Sequence, residues 1–412
     1  MTQLCIIEPS FLSRSGHVED SLREFIALSD AKNIHILVPR GAPTINFSNS
    51  NVRVHHILPN TYSSLILGTM YSFPTQKIFR FISHLFLPLR MRGNFNRRLA
   101  HVVLFIRSYF LTTRSLRAFF TDTSSLDIRV SDTNFLIVSL NADCLTSFAV
   151  IRLIRRYGNR VSLRLRFIGV LENFRLPYIF DMSRLLKILN RMHRQGFGIE
   201  IAAETSRYAN YLLEKYPSIS VVPQPSSFRV HRKSRAFSRQ ISVLGGARAD
   251  KGFEDTPEIF VAINALAKAR WSFKVQESGE SWGFRYDETI WRLRSMKNVS
   301  MLPGYLPRKE YEKELLHSDI ALLPYSVGTY KFRGSQILSD CISFGIIPIA
   351  IANTGFGETI RKYGIGFTYS SVHQIPTLLD ELGSPKRRIE ILSNMQAYSK
   401  ITQTSATKFM QL

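Results

Sequence analysis

The sequence has 412 residues, with 54 Lys and Arg against 31 Asp and Glu, for a formal net charge of +23. Hydrophobic residues make up 45% and charged residues 21%, a globular composition that excludes a disordered, collagen-like or coiled-coil chain. The length exceeds one core of common size and predicts two domains. Cys5, Cys144 and Cys341 lie far apart with no C-x-x-C. That spacing argues against a disulfide framework or a structural zinc site and fits a reducing compartment. The opening residues lack the basic and apolar regions of a signal peptide. The apolar stretch 99–111 is cut by Arg107, and the uncharged run 54–76 holds Pro59 and Pro74, so no transmembrane helix is expected. A cytoplasmic protein is the expectation.

The charge is unevenly placed. No carboxylate occurs between Asp30 and Asp122, yet that stretch holds twelve Lys or Arg. Arg80, Arg90, Arg107, Arg114 and Arg117 are interleaved there with Phe79, Phe86, Tyr109 and Phe110. A basic and aromatic surface suits anionic lipid headgroups, nucleic acid or a phosphorylated ligand. A solvated basic face fits the same pattern.

In chain order, Leu4–Ile7 reads as a strand, Ser10–Gly16 as a turn and His17–Ser29 as a helix. Strands follow at Asn33–Val38, Phe135–Ser139 and Leu163–Gly169, then a basic amphipathic helix at Phe180–Arg194. Glu200–Ala203 is a short strand and Ser206–Lys215 a helix that stops before Pro217. Ser220–Arg239, with Pro223 and Pro225 and a basic polar run, reads as a linker. Strand Ile241–Leu244 opens a second alternating series. Helices follow at Pro257–Ala267, Tyr286–Met296, Lys309–His317 and Ser335–Phe344, with strands at Ser272–Gln276, Val299–Leu302, Ile320–Leu323 and Ile347–Ile351. Trp271, Trp282 and Trp291 read as packing residues. Strands alternating with helices imply parallel sheets. The expected domains are 1–225 and 226–385, followed by a basic helical tail, 386–412. Ligands in such folds sit beyond the carboxyl ends of strands.

Three loops carry candidate chemistry. Leu244–Gly252 follows a strand; Gly245 and Gly246 allow close backbone approach, and Arg248 and Lys251 suit a diphosphate. The same run also suits a plain basic turn, since neither G-x-x-x-x-G-K-[ST] nor G-x-G-x-x-G occurs there. The second loop runs from Pro324 and Tyr325 through Tyr330 and Arg333 to Gly334 and Ser335. Ser335 is a plausible N-cap, and the helix start it opens can receive phosphate oxygens. Asp340, five residues on, suits the hydroxyls of a ribose or a structural role. The third loop, Pro9–His17, places Gly16 and His17 at the first helix start.

Together these segments resemble the family 4 glycosyltransferases and their GT-B relatives. The segments are Gly246–Gly252, Asp319–Tyr325, Asp340–Gly345, Ala203–Leu212 and the Val222–Pro225 stretch. The resemblance implies an α/β chain of two Rossmann-like domains facing a central cleft, whose last helix crosses back to the first domain. It implies a retaining, metal-independent transfer from a nucleotide sugar to a glycan or lipid-linked acceptor, with no further cofactor. Arg248 and Lys251 would then act as the catalytic cations on the donor diphosphate. Gly246, Tyr325, Tyr330, Arg333, Ser335, Gln336, Ile337, Leu338 and Asp340 would complete the donor site, with Asp340 on the ribose. Gly16 and His17 would face the acceptor.

Two positions depart from the pattern. The family often has two glutamates separated by seven residues; here the second is Asp340 and the first is Phe332. The missing carboxylate's work passes to Tyr330, Arg333 or Glu358, or is absent. The histidine expected after a middle strand of the first domain is missing from Ser139–Cys144, where Asn141 and Asp143 stand instead. The alternative is a catalytically inactive GT-B-like protein that binds anionic membrane or nucleic acid. Nucleic acid is the less expected partner, because no helix-turn-helix, RNP or zinc-finger signature occurs. A peripheral contact with the inner membrane face is the further expectation.

Overall fold

A computed structural model describes residues 3–9, 11, 18–47, 49–59, 106–121, 128–140, 145–157, 160–167, 182–218, 220–223, 236–277 and 286–411. The chain divides into two compact units. One comprises Met1–Ala203, Ala209–Val222 and Phe409–Leu412; the other comprises Glu204–Tyr208 and Pro223–Lys408.

The first unit is built on β1 (Gln3–Ile7), β2 (Asn33–Pro39), β3 (Val52–Leu58), β4 (Thr133–Leu140), β5 (Ser162–Phe167), β6 (Gly198–Ala203) and β7 (Ser220–Pro223). Their spatial order is β3-β2-β1-β4-β5-β6-β7, and the strands from β3 to β6 pair in parallel. Parallel neighbours need crossover connections. Helices Val18–Leu28, Leu145–Ile154, Met182–Arg194 and Ser206–Lys215 supply them, with a further helix over residues 106–121. β1 is buried at every residue, as expected of a strand covered on both faces.

Side-chain alternation assigns those faces. Leu4, Ile6, Ile34, Ile36 and Leu136 share a core with Leu22, Phe25 and Ile26 of the first helix. Cys5, His35 and Phe135 are in register with one another and point the other way. They meet the 106–121 helix, whose Phe119 and Phe120 contact His35 and Phe135 at 6.5 and 5.6 Å between ring centroids. The first core is completed by Phe409 and Met410 from the far end of the sequence. Buried Arg164 of β5 donates to the Met410 carbonyl at 3.0 Å.

Two elements of this unit have no counterpart in the sequence reading, and one expectation needs correction. Val52–Leu58 is a strand, although its half-exposed residues blur the alternation that marks one. Leu145–Ile154 is a helix whose mostly buried surface hides any polar stripe. Ser220–Pro223, taken as the start of a linker, is strand β7. The basic run within 60–105, the Ser139–Cys144 position apart from the strand residues 139 and 140, and the loop holding Gly16 and His17 lie outside the described residues.

The second unit has strands β8 (Gln240–Val243), β9 (Ser272–Gln276), β10 (Val299–Leu302), β11 (Ile320–Leu323), β12 (Ile347–Ile351) and β13 (Phe367–Tyr369). Their order is β10-β9-β8-β11-β12-β13, again parallel throughout. Relabelled from its own first strand, this order is 3-2-1-4-5-6, and the first unit repeats it with one added strand. That is the doubly wound Rossmann arrangement. Trp271 packs into the core, edge-on to Phe237 at 5.9 Å. Trp291 does not pack; it is 70% exposed. Trp282 lies outside the described residues. The helix Pro385–Met410 closes the chain.

Candidate functional site

In a 3-2-1-4-5-6 sheet the connections leave strands 1 and 4 in opposite directions, opening a crevice beyond their carboxyl ends. In the second unit these strands are β8 and β11. The loops that follow them, Leu244–Gly252 and Pro324–Ser335, are the two that carry the candidate cations and the helix start.

The loops are pinned together by backbone. The Ser326 N–H donates to the Asp250 carbonyl at 3.0 Å. Gly252 has φ +66°, and a Cβ there would lie 1.9 Å from the Pro324 carbonyl oxygen. Only glycine permits that approach. Gly245 and Gly246 also have positive φ, +99° and +74°. Their N–H groups both donate to Gln276 Oε1, at 2.8 and 3.1 Å. Gln276 ends β9, the strand beside β8, and its amide nitrogen donates to Gly304 at 3.2 Å. The glycine turn is therefore braced by a side chain from the neighbouring strand.

Arg248 and Lys251 project from this turn. Arg248 Nε lies 3.0 Å from Asp250 Oδ1. Its Nη2 donates to Asp250 Oδ2 at 3.1 Å and to the Tyr330 hydroxyl at 3.2 Å. Lys251 donates to the Gly245 carbonyl and lies 5.8 Å from the Tyr325 ring centroid. Its pKa falls from 10.5 to about 7. Burial is the main cause; Arg248 and Arg333 add repulsion, and Asp250 opposes the shift. Burial and the neighbouring guanidinium groups thus outweigh the nearby Asp250 carboxylate.

The aromatic residues form the floor. Tyr325 and Tyr330 are buried, with ring centroids 4.7 Å apart, and Phe356 packs on both. Burial raises the pKa of both phenols. Arg333 sits over the Tyr330 ring at 5.2 Å, a cation–π contact. Ser335 caps the helix Gln336–Phe344, its side chain accepting from the Leu338 N–H at 3.4 Å. The N–H groups of Gln336 and Ile337 have no intrahelical acceptor, as at any helix start. Ile337 and Leu338 are buried, so backbone is all they can offer a ligand. Asp340 is buried deeper and accepts from the Tyr311 hydroxyl at 2.7 Å. Burial, then the Asp340 charge, holds Tyr311 protonated.

Several contacts of this region have no signal in the sequence. Glu204 Oε2 accepts from the Gly334 N–H at 3.0 Å, and Thr205 Oγ1 donates to the Phe332 carbonyl at 2.8 Å. Phe332 turns its ring to Tyr208 at 5.4 Å. Arg207 donates to Asn353 at 2.7 Å and lies 3.8 Å from Glu358. The Glu204–Tyr208 segment thus holds the loops after β11 and β12. Gln276 is findable as the last residue of a strand beside β8; Glu204 and Thr205 belong to the 203–212 segment that carries the resemblance, but their contacts are not legible there, because they act far from their own place in the sequence. Of the predicted site, Gly246, Arg248, Lys251, Tyr325, Tyr330, Arg333, Ser335, Gln336, Ile337 and Leu338 lie on the two loops or the helix start. Asp340 is one and a half turns further in.

No protein-family model and no curated protein sequence matches the chain. Solved structures do. The chain is similar to sucrose-phosphate synthase from Thermosynechococcus elongatus, with TM-score 0.62 and 10% identity, covering 99% of this chain and 97% of that one. It is similar to an alpha,alpha-trehalose-phosphate synthase (UDP-forming) from Burkholderia vietnamiensis, with TM-score 0.60 and 10% identity over 99% of each. A glycosyltransferase from Rickettsia africae gives TM-score 0.58 and 12% identity over 99% and 96%. At such identities the likeness is one of fold. The chain has the GT-B fold, two Rossmann-like α/β units, in which these glycosyltransferases are built.

Proposed function

We propose that the protein is a glycosyltransferase that takes a sugar from a nucleotide-sugar donor. The observation that carries this reading is the junction at the β8/β11 switch point, where Arg248, Lys251 and a capped helix start belong to two loops held together by backbone. When a glycosidic bond to a diphosphate breaks, negative charge builds on the departing oxygens. Donors placed where that charge develops do the most for the rate. Lys251 supplies an ammonium once an anion is present, Arg248 a guanidinium held by Asp250 and Tyr330. The N–H groups of Gln336 and Ile337 add the positive end of a helix. Asp340, oriented by Tyr311, is assigned to the ribose. Retention of configuration, transfer without a metal, and a glycan or lipid-linked acceptor at an anionic membrane complete the proposal.

The test is titration of the purified protein with UDP, GDP and ADP, followed by a panel of their sugars with product analysis. Binding of one diphosphate and turnover of its sugar is expected, with Arg248→Ala lowering turnover by about a hundredfold. Absence of binding to any nucleoside diphosphate refutes the reading. Binding without turnover favours the inactive binding protein, in line with Phe332 at the carboxylate position.

A further inference from the structure

The basic residues that give the chain its net charge of +23 are not spread evenly around the first unit. Its sheet order settles which helices share a face. The connections β4 to β5 and β5 to β6 step across the sheet in the same direction, and so does β3 to β4. Right-handed crossovers therefore put all three on one face. The steps β1 to β2 and β2 to β3 run the other way and lie opposite. Contacts agree. The 106–121 helix packs on the His35 and Phe135 side, and Arg152 of the Leu145–Ile154 helix reaches Tyr109 at 3.5 Å.

The two faces differ in charge. On the opposite side, helix Val18–Leu28 carries Glu19, Asp20 and Glu24 against a single Arg23. Of the helices on the first side, 106–121, Leu145–Ile154 and Met182–Arg194 contain no Asp or Glu; Ser206–Lys215, whose β6-to-β7 step runs the same way, has a single carboxylate, Glu214, beside Lys215. The outward positions of Met182–Arg194 are Arg184, Lys187, Arg191 and Arg194, all exposed, while Leu185, Leu186, Leu189 and Met192 face the core. Arg152, Arg155 and Arg156 are exposed at the end of the middle helix.

The 106–121 helix adds what a merely solvated face would not. Its inner side is Ser108, Thr112, Leu116 and Phe119, all buried. Its outer side alternates Arg107, Arg114 and Arg117 with Phe110, Leu111 and Ile106, which are 58%, 41% and 37% exposed. A helix that buries small polar residues and shows phenylalanine and leucine among guanidinium groups is built for an interface with an apolar interior and an anionic rim.

We propose that this helical layer of the first unit docks on bilayers containing anionic phospholipids. The 106–121 helix lies in the interface, with Phe110 and Leu111 inserted. The Met182–Arg194 stripe and Arg152, Arg155 and Arg156 rest on the headgroups. The exposed apolar side chains select a lipid surface over nucleic acid, which would meet the cations but give Phe110 and Leu111 no apolar phase. The inference extends the membrane-presented acceptor proposed above by assigning the docking face, and its test involves neither donor nor acceptor.

The test is flotation of the full chain with vesicles of phosphatidylcholine alone or with about one-third phosphatidylglycerol, at low and high salt. Binding to the anionic vesicles only, weakened by salt, is expected. Lys187→Gln with Arg191→Gln removes two surface cations and should weaken partitioning about thirtyfold, since each cation near an anionic surface contributes about fivefold. Phe110→Ser with Leu111→Ser should weaken it at high salt as well, because insertion is not screened. Arg23→Gln, on the other face, should change nothing. UDP binding by each variant, measured alongside, reports that the second unit is intact, so loss of vesicle binding and loss of the donor site are read separately. No vesicle binding by the wild type, equal binding to neutral vesicles, insensitivity to both double variants, or capture by homopolymeric RNA without vesicle binding would overturn the proposal.

Discussion

Lys251 offers the sharpest test of the donor site, because its proton should move when a diphosphate arrives. In the free protein its pKa is about 7 against the usual 10.5, so charging it inside the fold costs about 5 kcal/mol. A bound diphosphate removes that cost and returns the group toward its ordinary value. At pH 8 a group with a pKa near 7 is about one-tenth protonated, so binding should draw in about 0.9 proton. At pH 6 the lysine is already about nine-tenths charged, and uptake should fall to about 0.1 proton. Affinity should therefore drop about tenfold per pH unit above 7, as long as the bound lysine stays charged. Calorimetric titration of UDP in two buffers of different ionisation enthalpy reads the proton count directly. Lys251→Met should abolish the pH 8 uptake. Equal uptake at pH 6 and pH 8, or unchanged uptake in Lys251→Met, would refute the assignment. The same shift has a consequence for stability. The unfolded lysine keeps its proton up to about 10.5 while the folded one loses it near 7, so this group makes the fold more stable as pH rises from 7 toward 10.5 and withdraws that gain on acidification through 7.

Three further outcomes follow from contacts in the second unit. Gly252→Ala places a Cβ against the Pro324 carbonyl at positive φ; it should lower stability by more than about 2 kcal/mol and weaken UDP binding, read by denaturant melts and calorimetry. Ser335→Ala removes the cap on Leu338 N–H and should cost about 1 kcal/mol in the same melts. Tyr311→Phe leaves the buried Asp340 without its 2.7 Å donor. It should cost about 1 to 3 kcal/mol, read in the same melts.

How far the sequence spoke depended on burial. In the second unit, short apolar runs such as Ile320–Leu323 and Ile347–Ile351 alternate with polar-faced helices and are legible within a residue or two, whereas Phe367–Tyr369 and Ile375–Glu381 are not. The helix Gly355–Tyr363 was passed over because glycines break its pattern. They are there for contact: a Cβ at Gly357 would lie 2.5 Å from the Ile351 carbonyl oxygen, and one at Gly355 3.1 Å from that of Lys331. In the first unit, Leu145–Ile154 is buried on most sides and so has no periodic signal to read. The loops with Arg248, Lys251 and Ser335 were legible because cations, glycines and a capping hydroxyl follow strand ends. Their bracing by Tyr311, Glu204 and Thr205 was not, since hydrogen bonds between distant segments leave no local pattern.

Arg164 and the residues it holds have a consequence for biosynthesis. The first unit's core includes Phe409 and Met410, which leave the ribosome only after the whole second unit has been made. Conversely, the second unit's loops after β11 and β12 are held by Glu204–Tyr208, translated before any of its strands. Vectorial synthesis therefore cannot finish the first unit and then begin the second. Until the last turn emerges, the Arg164 guanidinium lacks the Met410 carbonyl, and the cluster around Phe25 stays open. A fragment cut at the interdomain stretch would lack the same residues: Phe409 and Met410 from the first half, Glu204–Tyr208 from the second.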